Sequence, residues 1–341
     1  MYIATIDCGT TNSQVYILNQ DLEVVSKKKE KIGVKDTTIR GSNLILKQGL
    51  VKLVESALFE AGLKIGDIKF AVAFGMITSE IGLMEIPHLW APAGLDELSE
   101  SVIPIEDRSI FPLEIPLLFI AGIKNRYPSG PGYRQVRSAD FMRGEETQMM
   151  GLLELYPTLS LPLTAVVLSS HTKYIGINQE KKIIGSSTTI SGQIFEAIKE
   201  RTFIGKSIQS PEGKKKEDFF ETEVIEAAYH SVLNTGFLRT VMMPRFLEVL
   251  LQQPWFVREL FFDATIVAED LLALNDFDLL GLSKKGPFVL IGHKRRCEVF
   301  AYLLKKFHGV SVIRQIHKEE EIDMLNIRGA AAIAAQAGYL D

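Results

Sequence analysis

The feature that most constrains this chain is a strand–turn–strand unit at its start. Met1–Ile6 is an apolar, β-branched run, and apolar alternation resumes at Val15–Leu18. Between them lies Asp7-Cys8-Gly9-Thr10-Thr11-Asn12-Ser13. Two such runs flanking a polar, glycine-containing turn demand a hairpin whose first strand is buried. The same pattern recurs. Ala165–Leu168 reads as a strand, Ser169-Ser170-His171-Thr172 as its turn, and Lys173–Asn178 and Lys181–Thr188 as partner strands. This internal duplication predicts an α/β protein of two similar domains with a cleft between them. Domain bounds of 1–150 and 151–341 are expected, with the C-terminal helix a candidate to complete the first.

The rest of the chain alternates in the same way. Leu22–Lys27, Phe70–Phe74, Leu113–Ile120, Pro287–Ile291 and Val310–Arg314 read as strands. Ser42–Gly62 has helical spacing and ends at a glycine. Ile86–Gly94 is a Pro-broken loop, and 124–138, rich in Pro, Gly and Arg, an exposed one. A helix is expected from Ser138 or Asp140 through Gly151, with one of those two as its cap. Others are expected at Ser191–Thr202, Arg295–Phe307 and Ile327–Ala337, and three more over 217–276. Lys214-Lys215-Lys216-Glu217 reads as a solvated helix entry.

Length and charge narrow the function. At 341 residues the chain exceeds one ordinary core. With 46% hydrophobic and 23% charged residues it reads as a soluble globular protein. A net charge of −4 supplies no broad basic field, which argues against nucleic acid or an anionic membrane as main partners. The two cysteines, Cys8 and Cys297, form no disulfide or metal pattern. With no basic leader and no long apolar span, a cytoplasmic protein is expected.

Chemistry concentrates in a few segments. Asp7 with Gly9, Thr10, Thr11 and Asn12 forms a small nest of backbone and hydroxyl donors suited to a phosphate. The carboxylate beside it suits Mg²⁺, held directly or through water. Ser169, Ser170 and His171 sit where a second phosphate loop would sit; Lys173 could add charge or point to solvent. Arg143-Gly144-Glu145-Glu146 places adjacent carboxylates at a helix entry, where the macrodipole favours them even without function. Functionally, Glu145 or Glu146 would be a general base, and Arg143 would clamp a substrate carboxylate through its planar fork. Gly292 ends a strand where a flat ring could approach the backbone. Gly329-Ala330-Ala331-Ala332 permits close packing of the last helix.

Taken in order, Ile6–Asn12, Gly75-Met76-Ile77-Thr78-Ser79 with Ile86-Pro87-His88-Leu89, Met142–Gly151, His171–Tyr174 and Ser191-Gly192-Gln193 resemble the 2-keto-3-deoxygalactonokinase (2-dehydro-3-deoxygalactonokinase) family. That family belongs to the sugar kinase/actin/Hsp70 superfamily. The resemblance implies a two-domain actin-like ATPase (ribonuclease H-like) fold, each domain a mixed sheet flanked by helices. It also implies ATP, Mg²⁺ and phosphorylation of the 6-hydroxyl of a 2-keto-3-deoxy sugar acid. Asp7, Glu145 and Glu146 then take the catalytic positions, and Arg143, Ser79 and Met76 the substrate side. Gly9, Thr10, Thr11, Asn12, Ser169, Ser170, His171, Lys173, Gly292 and Gly329 take the nucleotide side, and a homodimer is possible. Cys8, Ser169-Ser170 and His293-Lys294 depart from the family pattern. They keep open a rival reading, a sugar-acid or nucleotide sensor with weakened transfer.

Overall fold

The computed structural model describes residues 1–127, 132–211, 218–310 and 313–340. The chain divides into two compact units. The first comprises Met1–Ser160, Ile177–Ser186 and Glu319–Asp341, and the second Leu161–Gly176 and Ser187–Lys318. The first unit therefore runs past residue 150 and takes in both a short stretch near 180 and the final helix.

The strands in chain order are β1 (Tyr2–Cys8), β2 (Ser13–Leu18), β3 (Val24–Glu30), β4 (Ile68–Gly75), β5 (Leu89–Trp90), β6 (Ile103–Ile105), β7 (Leu117–Phe119), β8 (Ile123–Lys124), β9 (Phe141–Met142), β10 (Leu163–Leu168), β11 (Thr172–Ile177), β12 (Ile183–Thr189), β13 (Phe288–Gly292) and β14 (Ile313–Ile316). The first unit carries a six-stranded sheet in the order β3-β2-β1-β4-β7-β6 and a small sheet, β5-β8-β9. The other large sheet is β12-β11-β10-β13-β14. Each large sheet begins with three consecutive strands and continues from the first of them through two more strands in parallel, β4 and β7 in one and β13 and β14 in the other, with β6 added antiparallel at the edge of the first. This repeated order is the α/β, actin-like ATPase (ribonuclease H-like) arrangement expected from the duplicated hairpin.

Register decides what meets what. β1 and β4 run parallel with Cys8 opposite Gly75 and Asp7 opposite Phe74, so both strands end level. In open sheets of this kind, ligands bind outside the carboxyl ends of parallel strands. Behind the sheet, Leu46, Leu50, Leu53, Val54 and Ala57 of the helix Leu44–Ala61 pack against Ala4, Ile6, Ala71 and Ala73. That helix ends where Gly62 takes φ 68°.

Several elements differ from the sequence reading. The helix expected from Ser138 or Asp140 begins at Glu145. Ser138 instead closes a 3₁₀ turn by donating to Gln135 O, and Asp140 accepts from Phe141 N and Ser186 Oγ. Pairing of β9 with β8 captures Phe141 and Met142 before a helix can start. The last helix begins at Glu319, earlier than 327, because Glu319, Glu320 and Glu321 complement the positive helix end. Arg295–Phe307 is helical within Lys294–His308. The region over 217–276 breaks into Thr222–Thr235, Phe237–Thr240, Met243–Val249 and Trp255–Asp270. A short helix, Val34–Arg40, was not foreseen. Parts of the 124–138 loop and the Lys214–Glu217 run lie outside the described residues. Among those described, no helix is long and apolar enough to cross a membrane.

The last helix crosses Glu145–Leu155 at two glycines. A Cβ on Gly329 would lie 1.8 Å from Thr147 O, and one on Gly151 1.8 Å from Leu325 O. Gly329 is thus accounted for by helix packing. Gly329→Ala should lower stability by about 1–3 kcal/mol, because backbone atoms on both sides must move. Gly66→Ala, whose Cβ meets nothing within 4 Å, is the control. Urea unfolding of the two variants measures the difference, and equal midpoints would contradict the tight crossing.

Candidate active site

In the first unit the site is built at the level ends of β1 and β4. Gly9 N donates to Asn12 O at 2.9 Å and closes the hairpin turn. The side chains of Thr10, Thr11 and Asn12 stand exposed at its tip. The helix Val34–Arg40 braces this turn, since Lys35 N donates to Thr10 O at 2.9 Å and Val34 N to Gly9 O at 3.3 Å. Gly33 makes that approach possible, as a Cβ there would lie 2.5 Å from Thr10 O. No periodicity marks Gly33 in the sequence.

Two glycines bring the acidic helix entry to the same place. Gly75 at φ 81° lies against Cys8 O, where a Cβ would come within 2.7 Å. Gly144 at φ 108° packs on Gly75, its Cβ position 3.4 Å from Gly75 Cα. A positive φ at both positions excludes ordinary side chains. Glu145 follows directly and is partly exposed, while Glu146 is fully buried. Both Glu146 oxygens accept Gly144 N–H at 2.8 Å, and Thr147 Oγ1 donates to one of them. The two adjacent glutamates therefore separate by environment. Glu146 holds the turn, and Glu145 is the one open to a ligand.

Asp7 faces this entry. Asn326 Nδ2, from the final helix, donates to Asp7 Oδ2 at 3.1 Å. Burial, then the negative charges of Glu145 and Asp323, push the Asp7 carboxyl up to about 7, while Asn326 and Lys29 act the other way. Burial and then Glu145 likewise push Glu146 to about 7, against its backbone hydrogen bonds. Asp323 is itself paired with Lys27 Nζ at 2.6 Å. Among the described residues no three His, Cys, Asp or Glu side chains form a metal cage. The raised Asp7 carboxyl fits a cation held by one carboxylate and completed by phosphate oxygens and water, the usual manner of Mg²⁺.

Three assignments on the substrate side change. Arg143 Nη1 donates to Thr78 Oγ1 at 2.9 Å, and Nη2 donates to Ile86 O at 2.7 Å and meets His88 Nδ1 at 3.3 Å. Both planar edges of a guanidinium include Nη2, so the fork is engaged in tying Thr78 to the Ile86–His88 loop. Arg143 is a framework cation here, not a substrate clamp. Ser79 is buried and its hydroxyl donates to Met76 O at 2.7 Å, closing a turn. Met76 packs half-buried against the core.

The second unit presents its own loop. Ser169 and Ser170 are exposed at the end of β10. Ser169 N donates to His171 O, and Ser170 Oγ and Gln193 Nε2 lie 3.1 and 3.3 Å from the two His171 ring nitrogens. Gly192 seats the next helix on this loop, since a Cβ would lie 2.1 Å from Ser169 O. Gly292 sits opposite Leu168 in register, with its Cβ position 2.5 Å from Leu168 O. Ser169, Ser170, His171 and Gly292 are thus brought together. Lys173 takes neither expected course: it is buried and donates to Thr188 Oγ1 at 2.8 Å. A pocket of about 400 Å³ opens beside the loop, with Ser169, Ser170, Phe195, His293 and Arg295 in its wall.

Behind the loop lies a charged pair that the sequence reading missed. Asp270, 1% exposed, accepts from Thr172 Oγ1 at 2.8 Å, from Thr189 Oγ1, and from Arg296 Nη2 at 2.7 Å. Arg296 Nη1 reaches on to Ser169 O at 3.3 Å. In sequence Asp270 reads as an ordinary helix terminus and Arg296 as part of a basic helix start. Only the fold places them together.

Two outcomes follow from these electrostatics. The Asp7 pKa is raised above its ordinary 3.8. Its share of stability is therefore whole below about pH 4 and lost as pH rises through about 7. Asp7→Asn should melt like the parent near pH 4 and be more stable near pH 8, by on the order of 2 kcal/mol without divalent metal; a parallel pair of pH–stability curves would refute this. Arg296→Met strands the Asp270 carboxylate and should cost about 3–5 kcal/mol. Adding Asp270→Asn should recover part of the loss in the same denaturation measurement.

Comparison with known proteins identifies the family. The Rhizobium meliloti (strain 1021) protein named "Probable 2-dehydro-3-deoxygalactonokinase DgoK1" is 24% identical over 209 residues, 61% of this chain. The matched part spans 59% of that curated relative's length. A crystal structure from Sinorhizobium meliloti, of a protein bearing the same enzyme name, superposes with a TM-score of 0.70 at 18% identity and covers 98% of each chain, so the fold is shared. A reductive activator for a corrinoid, iron-sulfur protein has a TM-score of 0.51 at 12% identity, over 99% of this chain and 61% of its own. Residues 7–322 match the 2-keto-3-deoxy-galactonokinase family, and the chain belongs to that family of sugar-acid kinases.

Proposed function

We propose that this protein transfers the γ-phosphoryl group of ATP to the 6-hydroxyl of 2-keto-3-deoxy-galactonate or a close relative. The observation that carries the reading is the pairing, in the first unit, of Asp7 with a partly exposed Glu145 at the ends of β1 and β4. Phosphoryl transfer asks a protein mainly to position groups and offset charge, so one base, phosphate donors and a metal carboxylate suffice.

Glu145 takes the proton of the attacking hydroxyl. Its neighbour Glu146 keeps Gly144 in place through the amide and so fixes where Glu145 begins. Asp7 holds Mg²⁺, directly or through water, and bound Mg²⁺ offsets phosphate charge. Gly9, Thr10, Thr11 and Asn12 offer donors to phosphate oxygens. In the second unit Ser169, Ser170 and His171 do the same. Leu168, Phe195 and Ile266 in the adjoining pocket give a nucleoside an apolar wall, and Gly292 leaves that strand end slim. A sensor that had lost transfer would have no use for a partly exposed carboxylate after Gly144, which disfavours that alternative.

Glu145→Gln should lower kcat by about 10²–10⁴-fold, because the amide keeps the shape but cannot take the proton. The rise in melting temperature with Mg·ATP should persist in this variant. Glu146→Gln should stay folded, since its amide oxygen still accepts from Gly144 N and burial already disfavours the charged carboxylate, with a smaller fall in kcat. If Glu146→Gln slows transfer as much as Glu145→Gln while remaining folded, the base is misassigned. If Mg·ATP stabilises neither the parent nor the variants, the kinase reading fails.

A further inference from the structure

The small sheet β5-β8-β9 leads into the candidate active site and carries an exposed row of side chains that the preceding account leaves unused. β5 pairs with β8 in the register Leu89↔Ile123 and Trp90↔Lys124. β8 pairs with β9 in the register Ile123↔Met142 and Lys124↔Phe141. Cross-strand partners share a face, and successive residues alternate. One row, through Ile123 and Met142, is buried. The other is Trp90–Lys124–Phe141, with Trp90 44% and Phe141 60% exposed. Large aromatics flanking a lysine on an exposed face call for a reason beyond ordinary surface composition.

The geometry of the row is specific. Lys124 Nζ lies 4.0 Å from the centroid of the Trp90 ring. Tyr127 stands edge-on to Trp90 at 5.4 Å. Among the described residues no carboxylate pairs with Lys124. Phe141 packs edge-on with His88 at 5.3 Å, and His88 Nδ1 meets Arg143. From Phe141 the chain runs through Met142, Arg143 and Gly144 to Glu145.

We infer that Trp90, Lys124 and Phe141 form the sugar-acid subsite, with the two rings stacking on the C–H face of the sugar and the Lys124 ammonium pairing with its carboxylate. A polyhydroxy acid presents both chemistries, an apolar ring or chain face and one anionic end. Aromatic faces take the first, and a charge-assisted hydrogen bond takes the second. Lys124 also supplies the carboxylate contact that Arg143, with its fork engaged internally, does not. A neutral sugar would satisfy the rings but leave the ammonium without its anion, so this row selects acids. The inference rests on the sugar-acid kinase reading, and the test separates the two.

The experiment measures kinetics and binding together. In ATP-dependent assays with 2-keto-3-deoxy-galactonate, Trp90→Ala and Phe141→Ala should each raise the sugar KM by roughly 5–30-fold with the KM for ATP unchanged. Lys124→Met should erase at least about tenfold of the preference for the acid over the matching neutral sugar. Trp90→Phe keeps a ring and should retain most of the affinity. Without ATP, titrating the sugar acid should change the tryptophan fluorescence of the parent, and Trp90→Phe should lose that change. Sugar kinetics unaltered in all three truncations, in a parent that turns over the acid, would overturn the subsite and leave the kinase reading standing. A Trp90 fluorescence response without any transfer would keep the subsite and overturn the kinase reading. Neither response nor transfer would overturn both.

Discussion

The first unit depends on a crossing of two helices at Gly151 and Gly329. Removing both side chains lets the backbones of Glu145–Leu155 and Glu319–Gln336 meet, with a would-be Cβ at either glycine 1.8 Å from a carbonyl of the other helix. Such contact is unforgiving, because backbone cannot change rotamer to make room. It brings the last helix, distant in sequence, alongside the helix that begins at Glu145. Asn326 is thereby set against Asp7, and Asp323 against Lys27. A change that spread this crossing would withdraw the only side-chain amide hydrogen-bonded to the Asp7 carboxylate among the described residues.

A second pair of glycines works on a shorter range. Gly75 and Gly144 both adopt positive φ and pack on each other beside Cys8. They let three backbone segments converge where one ordinary side chain would hold them apart. The result is a cluster of carboxylates in which burial, and then the charge of Glu145, raises the pKa of Asp7 and of Glu146. Like charges held together are costly in isolation, and a site that keeps them is one suited to a cation. Cys8, buried within this packing with its thiol pushed up to about 12 by burial, fills the core beneath the turn.

The second unit adds buried charge to its close glycine contacts. Its exposed Ser169–Ser170 loop rests on Asp270 and Arg296, which satisfy one another and Thr172 below the surface. A buried ion pair is weak evidence for stability, but removing one partner is expensive. Such a pair therefore holds the loop in one arrangement, since other arrangements would leave a charge unmatched.

The sequence by itself determined the longer strands of the two large sheets, their duplicated order and the polar turns between them, while the short strands Leu89–Trp90, Ile103–Ile105, Ile123–Lys124 and Phe141–Met142 carry too few residues for a period to register. Apolar alternation around Asp7–Asn12 and around Ser169–Thr172 is local information, written at a period of two residues. The family-like segments from Met142 to Gly151 were legible for the same reason, as contiguous residues. Boundaries were less so: the Glu145 helix was placed too early because pairing of β9 with β8 is a tertiary choice. Which glutamate is buried, and that the Arg143 fork is already engaged, depend on Gly144, Thr78 and Ile86, which meet only after folding. Asn326, Gly33, Asp270 and Arg296 carry no periodic or motif signal, because their partners are far away along the chain. Short-range patterning therefore fixes elements and turns. Which side chains share a site is decided by register and by backbone approaches that only the assembled structure makes.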